Sequence, residues 1–371
     1  MPGSESPDRS PRSHPRGPVD VSTAAGAQRS DRTAEVADRT ADSLPAVKDI
    51  GLVGLPFSGK STLFTALTRA GAAGGQANQA VVAVPDPRLL VLTEMERSAK
   101  TVAAQVRFVD VPGGVSSAQG IAKLREVDAL AVVVRSFGPD AAPATELANV
   151  HAELLLADLA VIDSALEKAQ KRAKGRGSPE VDALQRAHDA LSTETPLRDA
   201  KLEPADAEHL RGIAPLTMKP YVVVANLEEG TEVPGELPAD SVGVYASIEA
   251  ETAEMDVDEA RALLEEFGVA EPGLERVIAA GYAAIDLITF LTTGEDETRA
   301  WEVRRGAKAP EAAGVIHTDL ERGFIRAEVI GYEDLVAAGS MEQAKAAGKS
   351  RVEGKDYEVA EGDILHVRFA V

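Results

Sequence analysis

The residues best suited to carry out chemistry form one run of eight, Gly54-Leu55-Pro56-Phe57-Ser58-Gly59-Lys60-Ser61. The run fits the pattern G-x-x-x-x-G-K-[ST], whose glycines let successive backbone N–H groups face an anion. Lys60 would reach the β- and γ-phosphates of a nucleotide, and the Ser61 hydroxyl would coordinate Mg²⁺. A glycine turn without a ligand is the alternative, but the flanking strand and helix patterns favour a phosphate-binding loop.

A second acidic and glycine-containing element follows Lys60 by about 50 residues, at Phe108-Val109-Asp110-Val111-Pro112-Gly113. An apolar strand here ends in Asp110 and passes into a glycine turn. In phosphate-binding folds, a carboxylate at this place holds the Mg²⁺ shell, usually through water, and the glycine amide senses a γ-phosphate. Asp110 as a simple turn former is the alternative. Its distance from the phosphate loop favours the Mg²⁺ role, with Gly113 near the nucleotide.

A third element indicates which base would bind. The strand Val222-Val223-Val224-Ala225 leads into Asn226-Leu227-Glu228-Glu229, where GTP-binding proteins carry N-K-x-D. The aspartate of that motif accepts hydrogen bonds from two donors on guanine, and adenine offers a different edge. Because the lysine and the aspartate are both replaced, we expect ATP to be preferred. Asn226 as a mere strand-end cap remains the alternative.

These elements need a sheet that brings their loops together. Short β-branched runs at 49–53, 105–110, 129–134, 221–226 and 242–245 predict buried parallel strands. The run from Lys60 to Leu67 has helical spacing and directly follows the glycine turn. Together they predict an α/β fold of the P-loop, G-domain type.

Two further regions interrupt or follow this α/β pattern. Apolar residues at 155, 159, 162 and 166 indicate a helix, a Gly-Arg-Gly-Ser-Pro break follows, and a second apolar stripe runs through 181, 184 and 191. This predicts an inserted helical hairpin, interpreted as a packing arm or, alternatively, as a partner-binding arm. Beyond residue 281, closely spaced strand patterns predict a separate α+β module with a mixed sheet.

Composition excludes several classes of function. Acidic residues outnumber basic ones 60 to 39, giving a formal charge of −21, so any contact with RNA must be local. With no cysteine, thiolate catalysis, sulfur-rich zinc sites and thiol redox switching are excluded. The absence of cysteine also fits a reducing, cytoplasmic setting. No apolar run approaches the length of about 20 residues needed to cross a bilayer, so we expect a soluble protein without membrane contact. The proline-rich, aromatic-free segment 1–47 is predicted to be disordered.

Beyond the P-loop, several motifs carry a family resemblance. They include Val84-Pro85-Asp86-Pro87-Arg88-Leu89, Arg125-Glu126-Val127-Asp128-Ala129 and, near the end of the chain, Gly323-Phe324-Ile325-Arg326-Ala327-Glu328-Val329 and Glu353-Gly354-Lys355-Asp356-Tyr357. With these motifs the sequence resembles the Obg-like ATPase family of the YchF type, from about Lys48 to the last residue.

The resemblance implies a nucleotide-binding domain over 48–142 and 216–280, a coiled-coil hairpin over 143–215 and a β-grasp, TGS-like domain over 281–371. It also implies ATP and Mg²⁺ as cofactors and association with ribosomes or translation factors. Ser61 and Asp110 would serve the metal. The residues that it places around the nucleotide are Gly54, Phe57, Ser58, Gly59, Lys60, Ser61, Thr62, Gly113, Asn226, Leu227 and Ser247.

The chain departs from the family in both switch segments. Family members carry a threonine in the first switch, whereas the stretch between Arg69 and Pro85 contains neither Thr nor Ser. The second switch is shortened after Gly113, where Gly114 replaces an apolar residue. Both changes affect groups that act on the transferring phosphoryl group, so we expect weak or absent ATP hydrolysis with binding retained. The rival is a scaffold with a vestigial nucleotide site; a small-molecule kinase is disfavoured because no second substrate site is evident.

A local RNA contact could come from Arg322, Phe324 and Arg326, which strand alternation would place on one face of the C-terminal module. Nearby acidic residues dilute this basic-aromatic patch, and burial of Phe324 within a mixed surface is the alternative. His317, in the same region, is interpreted as structural and not catalytic.

Overall fold

The computed structural model describes residues 47–71, 78–253, 255–269 and 272–370. The predicted disorder of 1–47 therefore concerns a segment that lies outside the described residues, apart from its last position. Twelve strands are present in the described part: β1 (Lys48–Val53), β2 (Gln79–Ala83), β3 (Thr101–Val102), β4 (Gln105–Asp110), β5 (Ala129–Ser136), β6 (Tyr221–Leu227), β7 (Val242–Val244), β8 (Leu287–Thr292), β9 (Thr298–Arg304), β10 (Phe324–Gly331), β11 (Arg351–Glu353) and β12 (Asp363–Phe369).

Thirteen α-helices are present in the same described ranges. They are α1 (Lys60–Ala70), α2 (Pro87–Glu96), α3 (Ala118–Glu126), α4 (Pro143–Ala173), α5 (Pro179–Ser192), α6 (Pro204–Leu210), α7 (Ala246–Thr252), α8 (Val257–Glu266), α9 (Gly273–Ala284), α10 (Ala309–Ile316), α11 (Thr318–Arg322), α12 (Tyr332–Ala338) and α13 (Met341–Ala346). None of the described helices is long and apolar enough to span a bilayer.

The first sheet has six strands in the order β2-β4-β1-β5-β6-β7. Strands β4, β1, β5, β6 and β7 run parallel, which confirms the predicted parallel set. Residues 129–134 of β5 are all buried because helices cover both faces of the sheet. The edge strand β2 was not predicted, and it pairs antiparallel with β4.

The helical insertion lies between β5 and β6 and consists of α4, α5 and α6. Its own apolar cluster is built from the predicted stripes, with Ile162 and Leu166 of α4 packed against Leu184 and Leu191 of α5. At its base, Asp158 of α4 is fully buried and ties the insertion to the nucleotide-binding part. Its carboxylate accepts hydrogen bonds from Arg125 and from the backbone N–H groups of residues 216 and 217.

The second sheet has the order β11-β10-β12-β8-β9-β3 and mixes parallel with antiparallel pairs. This confirms the predicted α+β module with a mixed sheet. Its edge strand β3 comes from the N-terminal half of the chain, where Thr101 pairs with Thr298. Arg88 at the start of α2 adds an ion pair of 2.6 Å to Glu361. The N-terminal half of the chain therefore supplies an edge strand to the second sheet as well as a side-chain contact with it.

The predicted basic-aromatic patch is not formed as expected. A register shift lies between Phe324 and Arg326 in the pairing of β10 with β12, so simple alternation fails there. Phe324 is buried in the apolar cluster of the second sheet, whereas Arg326 is exposed. The expectation that Phe324 shares an open face with Arg326 is therefore wrong, and its alternative, burial of Phe324, is correct. His317 caps α11, because its Nδ1 accepts the backbone N–H of Asp319.

Candidate nucleotide-binding site

The phosphate loop connects β1 to α1 through residues 54–59. Gly59, the residue before the helix, has a φ of 84°, a left-handed conformation that glycine adopts without strain. A Cβ atom there would lie 1.9 Å from the Asn226 Nδ2 atom, so no other residue fits. Gly54 is equally constrained, since a Cβ would lie 2.6 Å from the carbonyl oxygen of Val133. The loop is thus held in a tight curve that ends at a helix N-terminus, where backbone N–H groups favour an anion.

A cleft of about 650 Å³ opens above this loop. Its wall brings together the predicted residues 54, 57–62 and 113. It adds five that were not predicted as contacts: Leu55 and Pro56 of the same loop, and Gly114, Ser116 and Phe137. Phe137 directly follows β5. In the sequence, only its position after a buried strand could have indicated that it lines the cleft. Phe57 has a φ of 69° and is 89% exposed at the rim.

The two charged residues of the site are already paired. The Lys60 Nζ atom lies 2.5 Å from the Asp110 Oδ1 atom, with both side chains mostly buried. The pair places the ammonium group between the loop and the end of β4. Asp110 is therefore close to the phosphate loop, as the spacing of the two motifs predicted.

The Ser58 hydroxyl is a buried polar group that the protein itself leaves unpaired among the described atoms. The residue is 1% exposed, and its Oγ atom is buried without a hydrogen-bond partner among the described atoms. An unpaired buried hydroxyl costs free energy unless a ligand or water meets it. Together with the glycine cradle and the Lys60 ammonium group, it fits a polyanionic ligand such as a triphosphate.

The donors available for Mg²⁺ are also of the right type. Ser61 is exposed at the start of α1, and its hydroxyl oxygen is a hard ligand of the kind that Mg²⁺ accepts. The Asp110 carboxylate lies nearby, in contact with Lys60. No cluster of three or more His, Asp or Glu side chains within the described ranges forms a metal site by itself. A metal here would therefore depend on phosphate oxygens and water, which is typical of Mg²⁺ with nucleotides.

Asn226 lies behind the loop and not at the open cleft. Its Nδ2 atom donates to the Ser58 carbonyl oxygen at 3.2 Å, and its Oδ1 atom accepts the Ala246 N–H at 3.3 Å. The amide, which is 5% exposed, thus connects the phosphate loop to the start of α7. Leu227 is buried with its side chain against Gly243, so it could meet a base only through its backbone.

Ser247 is exposed in the first turn of α7, next to Ala246. Two residues on, Glu249 is 3% exposed, and its carboxylate accepts the backbone N–H groups of Tyr245, Gly273 and Leu274. This buried carboxylate fixes α7 to the N-terminus of α9, where the helix dipole favours a negative charge. Ser247 is therefore presented from a fixed segment beside the Asn226 amide.

The second switch is compact. Residues Gly114–Ser116 form one turn of 3-10 helix, and Ser117 then caps α3 by accepting the Gly120 N–H at 3.0 Å. Gly113 has a φ of 76°, and a Cβ there would meet the Ser117 Oγ atom. Gln119 is exposed in the first turn of α3. The six residues of the first switch at 72–77 lie outside the described ranges.

Known proteins resemble both halves of the chain. A family model described as "50S ribosome-binding GTPase" matches residues 49–168, and the model of the YchF GTPase C-terminal family, described as a protein of unknown function (DUF933), matches residues 287–370. "Ribosome-binding ATPase YchF" of Bacillus subtilis is 38% identical over 361 residues, covering 86% of this chain and 99% of the relative. The chain belongs to the YchF family.

Other YchF proteins agree with this assignment. "Ribosome-binding ATPase YchF" of Haemophilus influenzae is 40% identical over 358 residues, again covering 86% of this chain and 99% of the relative. The solved structure of the Schizosaccharomyces pombe YchF GTPase superposes with a TM-score of 0.78 at 29% identity, covering 86% of this chain and 97% of that one. The family resemblance and the P-loop fold predicted from the sequence are both confirmed.

Proposed function

We propose that this protein binds ATP with Mg²⁺ at the cleft above residues 54–61 and associates with ribosomes. The observation that carries the proposal is the cradle itself. Two glycines occupy positions where a Cβ would collide, Lys60 stands at the helix start, and the buried Ser58 hydroxyl lacks a partner among the described atoms. The names of the relatives, ribosome-binding ATPases, support the ribosome as the partner.

The roles of individual residues follow from their places in the cleft. Backbone N–H groups of the loop from Phe57 to Thr62 would hold the phosphates, with the Lys60 ammonium group on the β- and γ-phosphates. Ser61 would hold Mg²⁺ directly, and Asp110 would hold it through water. The metal, when bound, would neutralise charge on the phosphate oxygens.

Base selection is proposed to favour adenine. The chain has Glu229 in place of the aspartate that selects guanine in N-K-x-D proteins, and the Asn226 amide is occupied by the protein. Ser247 and the backbone near Leu227 are the groups that could contact the base. Glu229 keeps a carboxylate, but its side chain is one methylene longer than that of aspartate, and Leu227 replaces the lysine of N-K-x-D. The arrangement that selects guanine is therefore altered at two of its positions.

Hydrolysis is proposed to be weak or absent. The first switch segment contains no Ser or Thr to complete the Mg²⁺ shell, and the second switch is folded into a short turn before α3. Each 1.4 kcal/mol of lost transition-state stabilisation lowers the rate about tenfold. Binding depends on ground-state contacts with the loop, and these are intact in the chain.

The direct test combines turnover and partner binding. ATP hydrolysis is measured with Mg²⁺ for the wild type and for Lys60→Ala, and both are sedimented with purified ribosomes with and without ATP. We expect the wild type to hydrolyse little ATP and to co-sediment with ribosomes in an ATP-dependent way. In Lys60→Ala, ATP should no longer change the amount of protein that co-sediments. Fast turnover that Lys60→Ala removes would contradict the proposed loss of hydrolysis. Co-sedimentation that is insensitive to ATP and to Lys60→Ala would favour the alternative, a scaffold with a vestigial site.

A further inference from the structure

The charges of the long helix α4 are segregated along its length. From residue 143 to residue 167 it carries five carboxylates and no Lys or Arg. From residue 168 to residue 176, at the turn into α5, the chain carries five cationic residues and no carboxylate: Lys168, Lys171, Arg172, Lys174 and Arg176. We call residues 168–176 the basic tip. In a protein with a formal charge of −21, this is a local reversal of sign.

The cations of the basic tip are exposed and only partly neutralised. All five are exposed side chains. Lys171 lies 3.4 Å from Glu167, and Arg172 lies 2.6 Å from Glu180. The other three, Lys168, Lys174 and Arg176, form no ion pair with any carboxylate in the described part of the chain.

Stabilisation of the helix end explains only some of this charge. Cations in the last turn of a helix interact favourably with its dipole, which accounts for Lys171 and Arg172. The helix ends at Ala173, and Lys174 already has a left-handed φ of 49°. Lys174 and Arg176 therefore lie beyond the last turn, and the dipole effect falls off there.

The chemistry of the basic tip fits phosphates better than a protein surface. Among residues 168–176, none of the side chains is a large exposed apolar group. Protein interfaces place aromatic or apolar anchors at their centre and are poor in lysine. Phosphate contacts use Lys, Arg and backbone N–H groups, and the space around the Cα atom of Gly175 is open.

Helix α4 separates the basic tip from the end of β5. Helix α4 has 31 residues, which corresponds to a length of about 46 Å at 1.5 Å per residue. Its first turn is fixed by the Arg135–Glu146 ion pair at 3.3 Å, and its middle by the buried Asp158. The basic tip is therefore presented by a rigid support.

We propose that the basic tip contacts the phosphate backbone of RNA. The proposal rests on the ribosome association proposed above and names the surface that makes it. Because the stem of α4 is acidic and would repel RNA, contact is restricted to the end of the hairpin. Phosphate contacts are independent of sequence, so the basic tip supplies affinity and position and no base recognition.

The test uses the full chain and purified ribosomes as the probe. Lys168→Gln/Lys174→Gln/Arg176→Gln removes the three unpaired cations of the basic tip. Lys201→Gln/Arg261→Gln/Lys355→Gln removes three exposed cations elsewhere and is the charge-matched control. Affinity is measured at several salt concentrations, and thermal denaturation verifies that both variants fold.

We expect the basic-tip variant to bind at least about tenfold more weakly and to lower the slope of log affinity against log salt by about two to three. The control should keep the wild-type affinity and slope. Equal affinity of wild type and basic-tip variant, or an equal loss in the control, would overturn the proposal. If the wild type itself does not bind ribosomes, the proposed function fails first and this inference falls with it.

A second measurement separates RNA from protein as the partner. A photo-crosslinking amino acid is placed at Gln170, an exposed position within the basic tip. After irradiation with ribosomes, labelled RNA is the expected product. Label found only in ribosomal protein would overturn the assignment to RNA phosphates, even if the basic-tip variant binds weakly.

Discussion

The Asn226 Nδ2 atom donates to the carbonyl oxygen of Ser58 at 3.2 Å, across 168 residues of sequence. The oxygen of the same amide accepts the Ala246 N–H, so one side chain holds the phosphate loop, the end of β6 and the start of α7 together. We therefore expect Asn226 to affect nucleotide binding through the shape of the loop. Exchanging the amide nitrogen and oxygen of Asn226 would break both hydrogen bonds.

Asn226→Asp tests this role. The aspartate has no donor for the Ser58 carbonyl, and it would place a carboxylate oxygen against that carbonyl in a buried position. We expect a loss of about 1–3 kcal/mol in the free energy of unfolding and weaker binding of ATP and GTP alike. Calorimetric titration with both nucleotides measures the change in binding. If the affinity for only one of the two nucleotides changed, the result would show that Asn226 contacts the base instead.

Arg88 is expected to join the two sheets. Its guanidinium group pairs with Asp86 at 2.8 Å and with Glu361 at 2.6 Å, and Glu361 in turn accepts the Thr289 N–H. The hydrogen bond to Asp86 raises the pKa of Arg88, so the group stays charged at any accessible pH.

Arg88→Met should lower the free energy of unfolding by about 1–3 kcal/mol, because it leaves the Asp86 carboxylate buried without its cation. Arg305→Met is the control. It breaks an exposed pair with Asp286 and should change the free energy of unfolding by less than about 1 kcal/mol. Urea denaturation compares the two variants, and equal losses would contradict a specific role for Arg88.

The buried carboxylate of Asp158 should be the most sensitive position of the insertion. Besides Arg125, it accepts the Thr217 hydroxyl at 2.8 Å and two backbone N–H groups. Asp158→Asn leaves Arg125 without its charge partner and should cost about 3 kcal/mol in the free energy of unfolding. Asp163→Asn alters an exposed carboxylate on the same helix and is the matched control. Similar denaturation midpoints for the two variants would refute this ranking.

The pH dependence of stability should include a contribution from His151. Burial lowers the pKa of His151, and the nearby Arg198 guanidinium adds to the effect. The unfolded chain takes up a proton near pH 6.5 while the folded state resists it, so acidification below about pH 6.5 costs stability.

His151→Gln should therefore reduce the fall in the free energy of unfolding between about pH 7 and pH 5.5. His209→Gln, which changes an exposed histidine, is the control. The measurement is a series of urea denaturation curves at stepped pH. A steeper fall in His151→Gln than in the wild type would contradict a lowered pKa of His151 in the folded state.

The sequence predicted those parts of the fold that rest on local patterns. The strand at 105–110 was placed at its observed bounds, because β-branched runs bounded by turns are distinctive. Strand β3 was not predicted, since two residues carry no periodicity and its partner strand lies almost 200 residues away. Strand β2 was not predicted because it contains only two β-branched residues, Val81 and Val82, between alanines, which favour helix.

In the candidate site, the phosphate loop could be predicted because its chemistry needs contiguous residues. Long-range contacts could not. Whether the Asn226 amide faces a base or the loop depends on the packing of β6 against Gly59, which no local pattern determines. The burial of Asp158, by contrast, could have been predicted from the sequence. The residue lies four residues from both Leu154 and Ile162 on the buried face of α4, where an acidic residue needs a buried partner.

Calorimetric titration of the wild type and of Lys60→Ala with ATP and GTP, each in the presence of Mg²⁺, tests the central claim most directly. Lys60→Ala removes the ammonium group but leaves the loop glycines and the fold in place. We predict that the wild type binds ATP more tightly than GTP and that Lys60→Ala binds ATP at least about tenfold more weakly. Absence of binding by the wild type, or equal ATP affinity of the two proteins, would contradict it.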